Sequence, residues 1–247
     1  MSAVALATGV IAPAYASPDL PVMAGEAGEA GEAGEGGAAI ADEAAVSFAL
    51  GLRLLEADLN AGWAAANADD MAAAAAHFQA VLDRLSGAQG TAMEDEGLER
   101  DHMADEIRGL IMVTQEAESA VDVRDLYEHG LHEVDEHIIG IEPLTRRDPV
   151  FALALALEVL KQAGTDYQAG KRGAGDAAAL RRATALTRIA RNEAGALAAK
   201  LTARDASRTE RLLGVLDEMI TMAVEGTAKP AELLTAVSRF ELLASGF

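Results

Sequence analysis

The sequence has no cysteine and few aromatic side chains. Without cysteine, its 247 residues can form no disulfide, no thiolate metal site, no iron–sulfur cluster and no lipid anchor on cysteine. Aromatic residues make up 4% of the chain and hydrophobic residues 51%, chiefly alanine and leucine. Because these two residues are strong helix formers and β-branched residues are sparse, the composition predicts an all-α protein without a sheet.

Basic residues are scarce in the first part of the chain. Residues 1–145 carry 28 acidic and 5 basic side chains, whereas residues 146–247 carry 12 acidic and 15 basic ones. The net charge of −20 repels nucleic-acid phosphates, so we expect no nucleic-acid partner. Cations, a basic protein or a membrane transporter fit the acidic half better, although acidity also serves simply to keep a protein soluble.

Motifs of common enzymes are also missing. The sequence shows no P-loop, no glycine-rich loop after a strand and no nucleophile elbow around a serine. His132 and His137 are five residues apart, which breaks the His-Glu-x-x-His spacing of zinc peptidases. A di-metal oxidase would need two Glu-x-x-His sets, and the sequence contains only one, from Glu99 to His102. We therefore predict that the protein is not an enzyme.

The first 41 residues differ in composition from the rest. Residues 1–16 contain an uncharged apolar run that ends in Ala-Tyr-Ala, which resembles the core and cleavage site of a signal peptide. Residues 17–41 include a Gly-Glu-Ala repeat with nothing to bury, so we expect a disordered linker there. No other stretch has the roughly 18 uncharged apolar residues that span a membrane. These features predict an exported protein, periplasmic or secreted.

From residue 42 onward the pattern predicts eight helices. Aspartate at positions 70, 122 and 148 precedes helical runs, and Ser207 with Glu210 forms a possible capping box. The predicted helices cover 42–67, 69–84, 93–117 and 122–139, a fifth opens at 148, and the others cover 175–201, 207–225 and 230–245. Short breaks between them favour antiparallel neighbours in a helical bundle.

An internal similarity suggests two related halves. Residues 48–54 and 151–157 are identical at five of seven positions, and each opens a long helix. We predict two similar four-helix halves, an acidic one over 42–145 and a second over 146–247. Since alanine- and leucine-rich helices also match by chance, duplication and coincidence both stay open.

One stretch, from Glu128 to His137, holds three of the five histidines. In a helix, His129, His132 and Glu136 lie at i, i+3 and i+7 on one face, together with Glu133. Imidazoles and carboxylates that converge on a helix face are typical metal ligands. We therefore predict a metal site here.

The preceding predicted helix offers a partner for this face. Glu99 and His102 have the Glu-x-x-His spacing of di-iron bundles, and antiparallel packing would bring them to the first group. Hard carboxylates together with imidazole favour iron first, and the thioethers of Met93 and Met103 near His102 make copper the second choice, while zinc also stays open. The alternative is that all these side chains belong to an ordinary solvated acidic face without a metal.

Residues 130–135 read Gly-Leu-His-Glu-Val-Asp and resemble the Gly-x-His-x-x-Glu motif of the imelysin-like family, with Asp135 where the family has Glu. That family consists of exported all-helical proteins of duplicated bundle architecture that are linked to bacterial iron uptake. The resemblance implies that His132 and Asp135 take part in metal binding. We carry over no peptidase activity.

Together these patterns predict an exported helical-bundle protein that binds or delivers a transition metal, iron or copper. The alternative is a metal-free structural or interaction protein whose acidic half docks on a basic partner. Stoichiometric metal binding that depends on the histidines would distinguish the two.

Overall fold

The computed structural model describes residues 42–172 and 175–247, except for the side chains of residues 139–147. The predicted signal segment over 1–16 and the predicted linker over 17–41 lie outside the described residues. Within the described ranges the chain folds into ten α-helices and no strand, which confirms the all-α prediction. The helices are α1 (Glu43–Ala66), α2 (Met71–Leu85), α3 (Ala88–Asp95), α4 (Arg100–Glu116), α5 (Ala120–Arg147), α6 (Pro149–Gly170), α7 (Ala177–Ala196), α8 (Ala198–Arg204), α9 (Ala206–Glu225) and α10 (Pro230–Ala244).

Aspartate side chains begin several of these helices. Asp42, Asp70 and Asp148 accept hydrogen bonds from backbone N–H groups in the first turns of α1, α2 and α6. The predicted caps at 70 and 148 are therefore confirmed.

The predicted cap at Asp122 is wrong, because α5 begins at Ala120 and Asp122 lies within its first turn, where it accepts from Ser119 N. The predicted cap at Ser207 is wrong, because Asp205 caps α9 through a hydrogen bond of 2.9 Å. A carboxylate is a stronger acceptor than a hydroxyl and also complements the positive end of the helix.

Three predicted helix bounds differ from the structure. The predicted helix over 93–117 is divided into α3 and α4 because Gly97 adopts a φ of 75°, which ends the helical conformation. The predicted helix over 175–201 is divided at Leu197, two residues after Gly195. In contrast, α5 continues past Gly140 to Arg147, since a single glycine costs a helix only about 1 kcal/mol.

The helices pack around α1, which contacts α2, α5, α6 and α7. Next to it, α4 packs against α2 and α5, while α9 packs against α7 and α10. A single hydrophobic cluster extends from Val46 in α1 to Phe240 in α10. Residues on both sides of the predicted boundary at 145 therefore share one core, and the similarity of the two halves stays a prediction. No helix in the described ranges is both long and apolar enough to cross a bilayer.

A charged network is buried where α1, α2, α6 and α7 meet. Asp58, which is 1% exposed, accepts a hydrogen bond of 2.9 Å from Arg84 Nε and lies 3.7 Å from Arg182 Nη1. Arg182 also donates two hydrogen bonds of 2.6 Å to Asp166. Burial raises the pKa of the Asp58 carboxyl, but contact with His77 and with the two arginines outweighs burial and holds this pKa below its usual value. The network links four helices through ionised side chains.

Candidate metal site

Each of α4 and α5 presents a histidine and a glutamate four residues apart to the other helix. His102 Nε2 in α4 lies 3.7 Å from Glu133 Oε1 in α5, and His129 Nε2 in α5 lies 3.6 Å from Glu106 Oε2 in α4. His129 Nε2 also lies 3.9 Å from Glu133 Oε1 on its own helix. This crosswise pairing shows that the two helices are antiparallel. We call these four side chains the His–Glu cluster.

The sequence places the His–Glu cluster beside an apolar seam. Residues four apart share one face of a helix, so each helix brings its histidine and glutamate to the same side. Met103 and Ile107 of α4 and Val134 of α5 are buried next to them. At Gly130 an added Cβ would lie 3.3 Å from Ile107 Cδ1, so the glycine next to His129 permits the close approach of the helices.

The burial of the His–Glu cluster is uneven. Glu133 is 9% exposed, whereas the side chains of His102 and His129 are 51% and 48% exposed. Among the residues that the structure describes, no arginine or lysine forms an ion pair with Glu133. A buried carboxylate without a permanent cation is costly, so this site would be stabilised by a bound positive ion.

His137 extends the same face by one more turn of α5. Its Nε2 atom is buried and has no hydrogen-bond partner in the described part of the chain. Burial lowers the pKa of this imidazole, although the charges of Glu133, Glu136 and Glu99 act in the opposite direction. The ring is therefore neutral at pH 7, and a neutral imidazole has a lone pair for a metal ion.

The structure brings two of the predicted ligands, His129 and His102, into the His–Glu cluster. It places His132 and Glu136 in a separate exposed pair, with 3.3 Å between Nε2 and Oε1. Neither residue of this pair forms an ion pair with the cluster in the described ranges. The predicted site that combined His129 with His132 and Glu136 stays a prediction.

The other two predicted ligands lie elsewhere. Glu99 is the N-cap residue of α4 and makes no capping hydrogen bond with its side chain, while its charge acts on His137. Asp135 lines a groove that lies between α1, α5 and α7. The motif that carries the imelysin-like resemblance therefore has its histidine and its aspartate in different environments.

One member of the His–Glu cluster, Glu106, was not among the predicted ligands, and Glu133 was placed on the predicted face but not in the proposed ligand set. Their signal was present in the sequence, because His102 and His129 are each followed four residues later by a glutamate. That spacing becomes a cross-helix site only when α4 and α5 are antiparallel and aligned as observed. Sequence spacing alone does not give the alignment of two helices.

The groove that contains Asp135 has a volume of about 580 Å³. On its wall Trp63 stacks on Tyr127 with 4.7 Å between ring centroids, and the Tyr127 hydroxyl donates a hydrogen bond of 2.9 Å to Asn60 Oδ1. Burial, aided by the charge of Glu56, raises the pKa of Tyr127 to about 12. The hydroxyl therefore stays protonated and remains a donor over the physiological range.

In the ranges that the structure describes, no group of three or more His, Asp or Glu side chains is arranged to hold a metal ion as the side chains stand. Comparisons of the chain with protein families, with curated proteins and with solved structures find no match.

Proposed function

We propose that the His–Glu cluster binds one divalent transition-metal ion. The observation that carries the proposal is the crosswise pairing, with nitrogen-to-oxygen distances of 3.6, 3.7 and 3.9 Å. Two ligand atoms that each lie about 2.1 Å from a tetrahedral ion are about 3.4 Å apart. The present distances exceed this value by only a few tenths of an ångström.

Small side-chain rotations would complete the site. His102 and His129 are about half exposed, and exposed side chains change rotamer on the picosecond to nanosecond timescale. Glu133 is held by burial and supplies the fixed ligand. His137 lies next to Glu133 with an unpartnered buried nitrogen and is a candidate for a further ligand.

The ligand chemistry favours iron over copper. Two imidazoles and two carboxylates form a mixed nitrogen and oxygen set without thiolate, which suits Fe²⁺ and is less selective for copper. A divalent ion would also neutralise two carboxylates in a chain of net charge −20. Since the histidine side chains are half exposed, the ion would exchange with solution, which suits binding and delivery better than catalysis.

The cellular setting is proposed from the sequence alone. The segment over 1–16 resembles a signal peptide, and the motif over 130–135 resembles that of the imelysin-like, iron-uptake-associated proteins. Both agree with a metal carrier outside the cytoplasm, in the periplasm or the medium.

The test is a titration of metal-free protein with Fe²⁺ under anaerobic conditions, and with Zn²⁺ and Cu²⁺, followed by calorimetry and thermal unfolding. We expect about one equivalent to bind and to stabilise the wild type by about 2.7 kcal/mol when the free metal is at 100 times Kd. The double variant His102→Ala, His129→Ala should lose binding while it keeps its helicity.

The matched control is His132→Ala, which removes an exposed histidine of the same helix that pairs only with Glu136 in the described residues. Retention of binding in this variant places the metal between α4 and α5. Loss of binding in the control as well as in the double variant would favour the site predicted from sequence, which combines His129 and His102 with His132. If no metal shifts the unfolding temperature, the proposal fails and the acidic surface is better explained as a docking face for a basic partner.

A further inference from the structure

The groove between α1, α5 and α7 has the composition of a ligand site that is separate from the His–Glu cluster. Its volume of about 580 Å³ falls within the range of about 300–1,000 Å³ for small-molecule sites. Leu131, Ile189 and Val224 contribute apolar surface, and Trp63 adds an aromatic ring. Charged and amide side chains surround this apolar surface. Ligand sites usually combine an apolar lining with a few polar groups that orient the ligand.

One arginine of the groove has no partner among the residues that the structure describes. Two acidic residues also line the groove: Glu56 accepts a hydrogen bond of 2.8 Å from Arg53, which also pairs with Glu193, and Asp135 interacts within the chain. Arg181 forms a 3.0 Å ion pair with Asp70. Arg188 is exposed in the groove and has no hydrogen bond or ion pair within the described ranges. A guanidinium without a partner is suited to bind a carboxylate through two parallel hydrogen bonds.

Three asparagines offer free amide atoms in the same groove. Asn60 uses its oxygen to accept from Tyr127, which leaves its NH₂ group, and Asn67 uses its NH₂ group to donate to a backbone oxygen, which leaves its carbonyl. Asn192 forms no side-chain hydrogen bond among the described residues. Donors and acceptors of this kind match the N–H and C=O groups of a peptide backbone.

The spacing of these amides gives the length of the ligand. Asn60 lies in α1 and Asn67 is the C-cap residue of the same helix, so the two are seven residues apart, which corresponds to about 10 Å along the helix axis. An extended chain covers about 3.3–3.6 Å per residue, so three residues cover this distance. A ligand of this size also agrees with the limited volume of the groove.

We propose that this groove binds a short peptide of about three residues with a free C-terminal carboxylate. Arg188 binds the carboxylate, the asparagines bind the peptide groups, and small side chains of the peptide pack near Trp63. The proposal does not depend on a metal, because no member of the His–Glu cluster lines the groove.

The test uses the fluorescence of Trp63, which is the only tryptophan in the chain and lies on the wall of the groove. Metal-free protein is titrated with N-acetyl-trialanine, which ends in a carboxylate, and with N-acetyl-trialanine amide, which does not. We expect a saturable change with the acid, and an affinity for the amide that is lower by about tenfold or more, as for the loss of one charged hydrogen-bonding group.

Two variants with the same change of charge locate the effect. Arg188→Gln should bring the affinity for the acid down to that for the amide. Arg211→Gln, an exposed arginine of α9 that donates to Ser207 O, should leave both affinities unchanged. Asn192→Ala should lower the affinity for both peptides.

Four results would overturn the proposal. The first is equal binding of the acid and the amide, and the second is full binding of the acid by Arg188→Gln. The third is the absence of a saturable change at peptide concentrations of about 10 mM, a limit that corresponds to binding too weak to be specific. Sodium acetate is included as well, since an equal response to acetate would show that the groove binds only a carboxylate ion and recognises no peptide.

Discussion

Two buried carboxylates, Asp58 and Glu133, lie at helix contacts and have different neighbours. Asp58 lies between Arg84 and Arg182, whereas the nearest bases to Glu133 are two histidines. Arginine is protonated at every physiological pH, while histidine is neutral for much of that range and can then bind a metal. The charge of Asp58 is therefore balanced by permanent cations of the chain, whereas the charge of Glu133 is not and could be balanced by an added cation.

The partners of Asp58 are also less exposed to solvent than the partners of Glu133. The side chains of Arg84 and Arg182 are 29% and 22% exposed, and both contact Asp58, which is almost fully buried. The histidines beside Glu133 are about half exposed. Fixed partners suit a structural role, and movable partners suit a site that takes up and releases an ion.

The largest expected effect comes from removing the charge of Asp58. Asp58→Asn leaves two arginines near the core without their shared carboxylate, and breaking a buried ion pair costs about 3–5 kcal/mol. Urea unfolding followed by circular dichroism measures this loss. The matched variant Glu133→Gln, which removes a carboxylate without an arginine partner in the described residues, should keep a stability within about 1 kcal/mol of the wild type. Equal losses would mean that the two carboxylates contribute equally to the free energy of unfolding, which would contradict this comparison.

A smaller effect should appear as the pH falls. The pKa of Asp58 in the folded protein lies below its value of about 3.9 in unfolded chains. Its contribution to stability is therefore present above the unfolded pKa and is lost as the pH falls through the folded pKa. The difference in unfolding free energy between the wild type and Asp58→Asn should shrink from pH 5 to pH 2. A constant difference over that range would show that the charge of Asp58 is not what stabilises the fold.

The smallest effect is expected for the histidines when no metal is present. His102→Ala together with His129→Ala removes half-exposed side chains, and such surface changes alter stability by about 0.5 kcal/mol each. Thermal unfolding in the presence of a chelator measures this change. A loss as large as that of Asp58→Asn would identify the His–Glu cluster as a structural element rather than a binding site.

Local sequence signals predicted much of the fold. Aspartate before an apolar helical run identified the starts of α2 and α6, and the helix-forming composition excluded a sheet. The division at Leu197 was missed although Gly195 lies two residues before it, because a single glycine is tolerated within a helix and is not a certain end signal. There α7 and α8 both pack against α9.

The candidate site was predictable only in part. Spacing identified His102 and His129 because it fixes which side chains share one helix face. The choice of Glu106 and Glu133 as their neighbours depends on how α4 and α5 are aligned, which spacing does not specify. Asp58 and Arg182 are 124 residues apart, so no local pattern predicts their contact.

The buried network also bears on how the chain reaches its native state. Asp58 and Arg84 come from the first half of the chain, and Asp166 and Arg182 come from the second. A folding intermediate in which only one half of the chain is folded would therefore bury charged side chains without their partners from the other half. Such an intermediate is unfavourable, because an unpaired buried charge is costly. The four side chains couple both halves into one cooperative transition, so a chain cut near residue 145 should not yield two independent folding units.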